Sequence, residues 1–137
     1  MTKPLDHHDA LIYTMVTMSA VDRAMTDAEL ARIGEIVSNL PVFDLYDDDK
    51  LIPASRACGD ILSSDDGLHL VLELIRDTLP TKLRETAYAV ALEVAAADLS
   101  VGPEETRFLE MLAETLDLDK LTTAAIERGI RARNTVV

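Results

Sequence analysis

Residues 87–105 read AYAVALEVAAADLSVGPEE, and from Ala87 to Ala97 the only charged side chain is Glu93. Such a run is apolar on nearly every helical face, and a helix apolar all round is a buried helix. The run ends at Asp98, and Glu105 follows seven residues later, behind Gly102-Pro103. Gly-Pro is a good helix start, because proline at the first helical position gives up only an N–H that has no partner there. The stretch therefore predicts a central helix near 82–98, a reversal, and a sixth helix near 103–116.

The same pattern occurs earlier in the chain. A shift of 76 residues lays SAVDRAMTDAE (19–29) on AAADLSVGPEE (95–105), so Asp22 meets Asp98 and Glu29 meets Glu105. Apolar positions follow suit: Ile33 with Leu109, Ile36 with Leu112, Leu40 with Leu116. The first helix, near 5–24, is uncharged from Ala10 to Val21, and Asp6 or a neighbour can cap it. The second, near 27–40, begins with Thr26 and Glu29 in capping-box spacing and stops at Pro41. A shift of 70 then matches DKLIPASRACG (49–59) with DKLTTAAIERG (119–129). The six-residue difference is extra acidic loop, FDLYDDD (43–49), in the first half.

Three further helices complete the reading. One near 50–63 must hold Pro53 in its first turn, since deeper in a helix proline removes a hydrogen bond and clashes. One near 66–79 stops at Pro80, and one near 119–134 ends in Arg128, Arg131 and Arg133, which suit the negative end of a helix dipole. No run alternates with period two for long, so no strand is expected. The expected fold is all-α: one compact, pseudo-symmetric bundle of about seven helices over residues 1–137. Its halves would be about 8–63 and 84–134, joined by the helix at 66–79, with the two buried helices packed at the centre.

Composition narrows the functions. The chain has 137 residues and a formal charge of −12, with five Gly and five Pro. That charge cannot neutralise a row of phosphates or an anionic lipid surface, so it argues against nucleic acid and against an anionic membrane surface as partners. The expected partner is a protein, and the field favours cations and basic surfaces. Cys58 is the only cysteine, so no intrachain disulfide is possible. With no apolar leader and no span of membrane length, the expected location is the cytoplasm.

Taken together, the duplicated turns resemble the TerB-like family, named from tellurite-resistance operons, of which a related domain occurs in DjlA co-chaperones. The family's turn, A-x-A-D-G-x-[ILV]-x-x-x-E, is similar to AVDRAMTDAE from Ala20 and AADLSVGPEE from Ala96. The resemblance covers about residues 8–130 and implies an all-α fold, an acidic surface and a divalent-cation role. One departure is visible: the glycine after the family's Asp is Arg23 in one copy and Leu99 in the other. If that glycine supplies a positive φ, the turn is altered here.

As candidate ligands for Ca²⁺ or Mg²⁺, one turn offers Asp22, Asp27 and Glu29, and the other Asp98, Glu104 and Glu105. Carboxylates are the hard oxygen donors such ions take, but a cation needs several oxygens and the spacing is not that of an EF-hand. The favoured reading of the same residues needs no metal. Asp22 and Asp98 would brace the reversal through bonds to nearby N–H groups, while Glu29 and Glu105 suit a helix start. Other polar residues have similar plain readings. The aspartates at 47–49 and 65–66 read as solvated loops and caps, His7 and His8 as a helix start, and Cys58 as a small buried hydrophobe. Glu93 and Thr17, matched under the 76-residue shift, read as a shared sliver of exposure on the two buried helices. No phosphate loop, nucleophile elbow or zinc spacing is present, and His69 has no nucleophile partner in sequence, so the expectation is a non-enzyme with no certain cofactor. Tellurite is an oxyanion that this surface repels, so any link to tellurite would be indirect.

Overall fold

The computed structural model describes residues 5–21, 25–96 and 101–137. Among them the secondary structure is helical throughout, in seven α-helices: α1 (His7–Ala20), α2 (Asp27–Asn39), α3 (Leu51–Leu62), α4 (Gly67–Thr78), α5 (Arg84–Ala96), α6 (Pro103–Thr115) and α7 (Lys120–Arg133). Short 3₁₀ turns at Pro41–Phe43, Asp48–Lys50 and Thr81–Leu83 link them. Each helix lies within a few residues of its predicted place.

Local chemistry sets the boundaries. Asp6 caps α1 by accepting from the Asp9 N–H, and Asp9 returns the bond to the Asp6 N–H, both at 3.0 Å. Asp119 caps α7 through the Thr122 N–H at 2.7 Å. Pro53 falls in the first turn of α3, where its missing N–H costs nothing. The end of α6 is a Schellman closure: Asp117 takes a left-handed φ of 56°, and the Leu118 N–H reaches back to the Ala113 carbonyl at 2.9 Å.

The core forms around α1. Every residue from Ala10 to Ser19 is buried, and α1 packs most extensively on α5, with α3 and α4 on its other sides. The α1 hydroxyls need partners at that depth. Thr14 donates to the Ala10 carbonyl at 2.8 Å and Ser19 to the Met15 carbonyl at 3.1 Å, so both are satisfied by their own helix. Helices α2, α6 and α7 cover α5. The Ala-rich stretch of α5 buries Ala87, Ala91 and Ala95, which lets neighbouring backbones approach closely.

The sliver of exposure expected for Thr17 and Glu93 holds for Glu93 and is corrected for Thr17. Thr17 has no exposure at all; its hydroxyl pairs with Cys58 Sγ at 3.6 Å. Glu93 does reach the edge of the core, but it is held there by two arginines. Its carboxylate meets Arg32 of α2 at 3.1 Å and Arg133 of α7 at 2.8 Å. The signal that could have found this pairing is a lone acid, Glu93, within the apolar part of α5 and arginines on amphipathic helices. Periodicity does not say which of them meet.

Candidate functional site

The two acidic turns follow α1 and α5. Asp22 and Asp98, with Arg23 and Leu99 in the family's glycine position, lie outside the described residues. Their flanks are described, and these flanks share one end of the bundle. Arg32, early in α2, pairs with Glu93, late in α5, while Ile36 and Asn39 share a groove with Thr86 and Ala89. Helix α2 therefore runs antiparallel to α5 and starts beside the end of α5. Likewise Ala20 and Val21, at the end of α1, share a cleft with Pro103 and Glu104, at the start of α6.

Helices α2 and α6 each bury a glutamate in their first turn. Glu29 is 2% exposed, and its Oε1 accepts from the Thr26 N–H at 2.9 Å and the Thr26 hydroxyl at 3.1 Å. Thr26 Oγ1 in turn accepts from the Glu29 N–H at 3.1 Å, which completes the predicted capping box. Glu105 is 5% exposed, and its Oε1 accepts from the Gly102 N–H at 3.0 Å. Gly102 has no side chain, so only the return half of a box exists there. Both carboxylates sit at the positive end of a helix dipole, a favourable place for an acidic side chain. Acidic side chains are seldom this buried unless paired, and each of these is paired at its own helix start.

The remaining candidate ligands are arranged differently. Asp27 and Glu104 are exposed at the starts of α2 and α6. Among the described residues, no three His, Cys, Asp or Glu side chains converge as a metal cage. The donors are chemically suited to a hard cation, but Asp27 with Glu29, or Glu104 with Glu105, supplies too few oxygens. A cation at either turn would need its Asp, Asp22 or Asp98, and water as well.

Beside the turns lies a cleft of about 500 Å³ between α1, α4 and α6, with Val21, Leu68, Phe108 and Met111 in its wall and Glu104 and Arg107 on it. It is mainly apolar and open to solvent, a form suited to an apolar side chain of a partner. Sequence reasoning does not place this cleft, since its walls come from segments far apart in the chain.

The other singled-out residues have structural duties. His8 Nε2 lies 2.9 Å from the Val42 carbonyl, to which it donates, and its ring stacks on Phe43. Cys58 is fully buried, and burial pushes its thiol up to about 11, with the Thr17 hydroxyl opposing in part. Asp47 caps the 3₁₀ turn before α3 by accepting from the Asp49 N–H at 3.0 Å, and Asp48 and Asp49 are exposed. His69 is exposed on α4.

An all-α bundle in which α2 and α6, the helices that follow α1 and α5, each bury a glutamate in their first turn defines a helical module. The family model for tellurite resistance protein TerB matches residues 8–128 of the 137, and the chain belongs to that family. Comparison with curated proteins gives no significant match, nor does comparison with solved structures. No helix among the described residues is long and apolar enough to cross a membrane.

Proposed function

We propose that this protein is a non-enzymatic interaction module of the TerB family that works through its turn end. A divalent cation, Ca²⁺ or Mg²⁺, binds weakly at the turns through Asp22, Asp27 and Glu29 and through Asp98, Glu104 and Glu105. Its role in a stress or tellurite response is indirect, by way of a protein partner. The observation that carries this reading is the pair of buried glutamates, Glu29 and Glu105, brought to one end of the bundle. A net charge of −12 supplies the attraction for a cation and the repulsion for the tellurite anion.

The second reading, an adaptor that takes a partner's apolar segment without a metal, rests on the cleft beside the same turns. Amide NMR of the metal-free protein separates the two. Under the first reading, Ca²⁺ or Mg²⁺ gives saturable shifts confined to residues around 25–29 and 101–105, lost in an Asp22→Asn/Asp98→Asn variant. Diffuse shifts that persist in the variant leave the metal-free adaptor. Tight binding of tellurite to the isolated protein would overturn the indirect role.

A further inference from the structure

The acidic loop FDLYDDD (43–49) sits at the opposite end of α1 from Ala20 and Val21. Pro41–Phe43 and the Asp48–Lys50 turn bracket it, and it closes over the start of α1 and the start of α3. It is firmly held. His8 donates to the Val42 carbonyl at 2.9 Å, Phe43 and Tyr46 pack edge to face at 5.7 Å, and the Tyr46 N–H bonds the Phe43 carbonyl at 2.9 Å. From this rigid hook Leu45 projects with 99% of its surface exposed, at a φ of 70°. A leucine in left-handed backbone facing water satisfies neither local conformational preference nor the hydrophobic effect.

Around Leu45 the surface combines apolar and acidic groups. A cleft of about 530 Å³ lies beside it, walled by Tyr13, Tyr46, Pro53 and Ala57, with Asp6 and Asp47 on it. Asp44, Asp48 and Asp49, exposed neighbours of Leu45 in the sequence, lie outside the cleft wall. Lys50 is the one lysine or arginine in the cleft wall. Burial and the charges of Asp9, Asp6, Asp47 and Asp48 push the Tyr46 hydroxyl up to about 12, a sign of the negative potential in the cleft. Charge complementarity therefore selects the occupant.

We propose that Leu45 and the adjoining acidic cleft form a docking surface for a partner protein segment that is both apolar and basic. The partner's apolar side chains cover Leu45, and a lysine or arginine lays its stem against Tyr46 with its charge toward Asp47. Preorganisation of the loop lowers the ordering cost of this contact. The surface stands apart from the turn end, so it needs no divalent cation.

The test uses the full chain with EDTA present and the probe peptide acetyl-LKLLKL-amide, followed by amide NMR. Saturable shifts over residues 5–9 and 44–57 are expected, with no binding of the acetyl-LELLEL-amide control. Affinity should fall about ten-fold or more in Leu45→Ser and in Asp47→Asn/Asp48→Asn, as expected when a central apolar contact or its paired charges are lost. Leu45 touches little of its own protein, so that variant keeps its fold, and its amide spectrum verifies this. Equal binding of the glutamate control, unchanged affinity in both variants, or shifts confined to the α1–α6 cleft would overturn the proposal. So would concentration-dependent shifts at the loop without peptide, which would assign the surface to a second copy of the chain.

Discussion

The Arg133 guanidinium lies 2.8 Å from one oxygen of the Glu93 carboxylate, and Arg32 holds the other at 3.1 Å. One acid on the central helix α5 thus ties α2 and the end of α7 to it. The Glu93 side chain is only 13% exposed, whereas Arg133 is 73% exposed. The three positions are therefore unequal.

Glu93→Ala leaves Arg32, 28% exposed, without its inner partner and opens the edge of the core. It should cost about 2–3 kcal/mol, in the range for breaking a partly buried charge pair. Arg133→Ala should cost less than about 1 kcal/mol, since its charge is well solvated. Urea unfolding of both variants and the double variant checks the order. An Arg133→Ala loss as large as that of Glu93→Ala would show that α7 depends on the pair.

The cysteine gives a pH signature. In the folded protein Cys58 is raised from 9.0 to about 11 by burial, so the native state holds its proton more tightly than the unfolded chain. Its contribution is complete below pH 9 and is lost as pH rises toward 11. The loss over that window is on the order of 2 kcal/mol. Tyr46 and Tyr88, both raised by burial, act in the same direction at higher pH. Melting temperature should therefore fall from pH 9 upward, less steeply in Cys58→Ala after its own cavity cost is subtracted. The native thiol should label only at the rate of unfolding. Fast labelling at neutral pH would contradict the burial.

What can be read from the sequence, and what cannot, follows the range of the interactions involved. Helix positions depend on caps, prolines and apolar spacing within a few residues, and Asp6, Thr26, Pro41, Pro80 and Gly102-Pro103 all act where their chemistry predicts. The buried character of α1 and α5 is equally legible, because an uncharged face all round has one stable place. Pairings across the chain are not legible. Thr17 meets Cys58 across 41 positions, His8 meets Val42 across 34, and Glu93 meets Arg32 across 61. The match of Thr17 with Glu93 implies a shared environment, yet a hydroxyl can be fully buried where a sulfur partners it. At the candidate site the capping role of Glu29 is visible in T-x-x-E. That both turns face one end depends on helix directions, which no local pattern encodes.

The turn glutamates should matter more than ordinary caps. Thr26→Ala removes the side-chain half of the box and should cost about 1 kcal/mol. Glu29→Ala also takes the carboxylate acceptor from the partly buried Thr26 N–H and hydroxyl, so about 1.5–3 kcal/mol is expected. Differential scanning calorimetry at neutral pH compares the two. Equal losses would mean that solvent replaces the Glu29 carboxylate easily, and would weaken its importance at the turn end.

Two glycines provide a matched pair for the packing of the bundle. At Gly67, the first residue of α4, a Cβ would overlap the Ile61 carbonyl oxygen and lie 2.8 Å from Leu62 Cα. Both are backbone atoms, so the α3–α4 connection itself would have to move, and Gly67→Ala should cost about 2–4 kcal/mol as an overpacked site. Gly129 lies inside α7, where an added methyl group would meet nothing within 4 Å, so the same change has no obstacle. There alanine restricts the unfolded chain and favours helix, for a gain of about 0.5–1 kcal/mol. Chemical unfolding of the two single variants should move in opposite directions. A neutral Gly67→Ala would mean that the α3–α4 turn has room to shift, and the tight approach of α4 to the end of α3 would not be what sets their packing against α1.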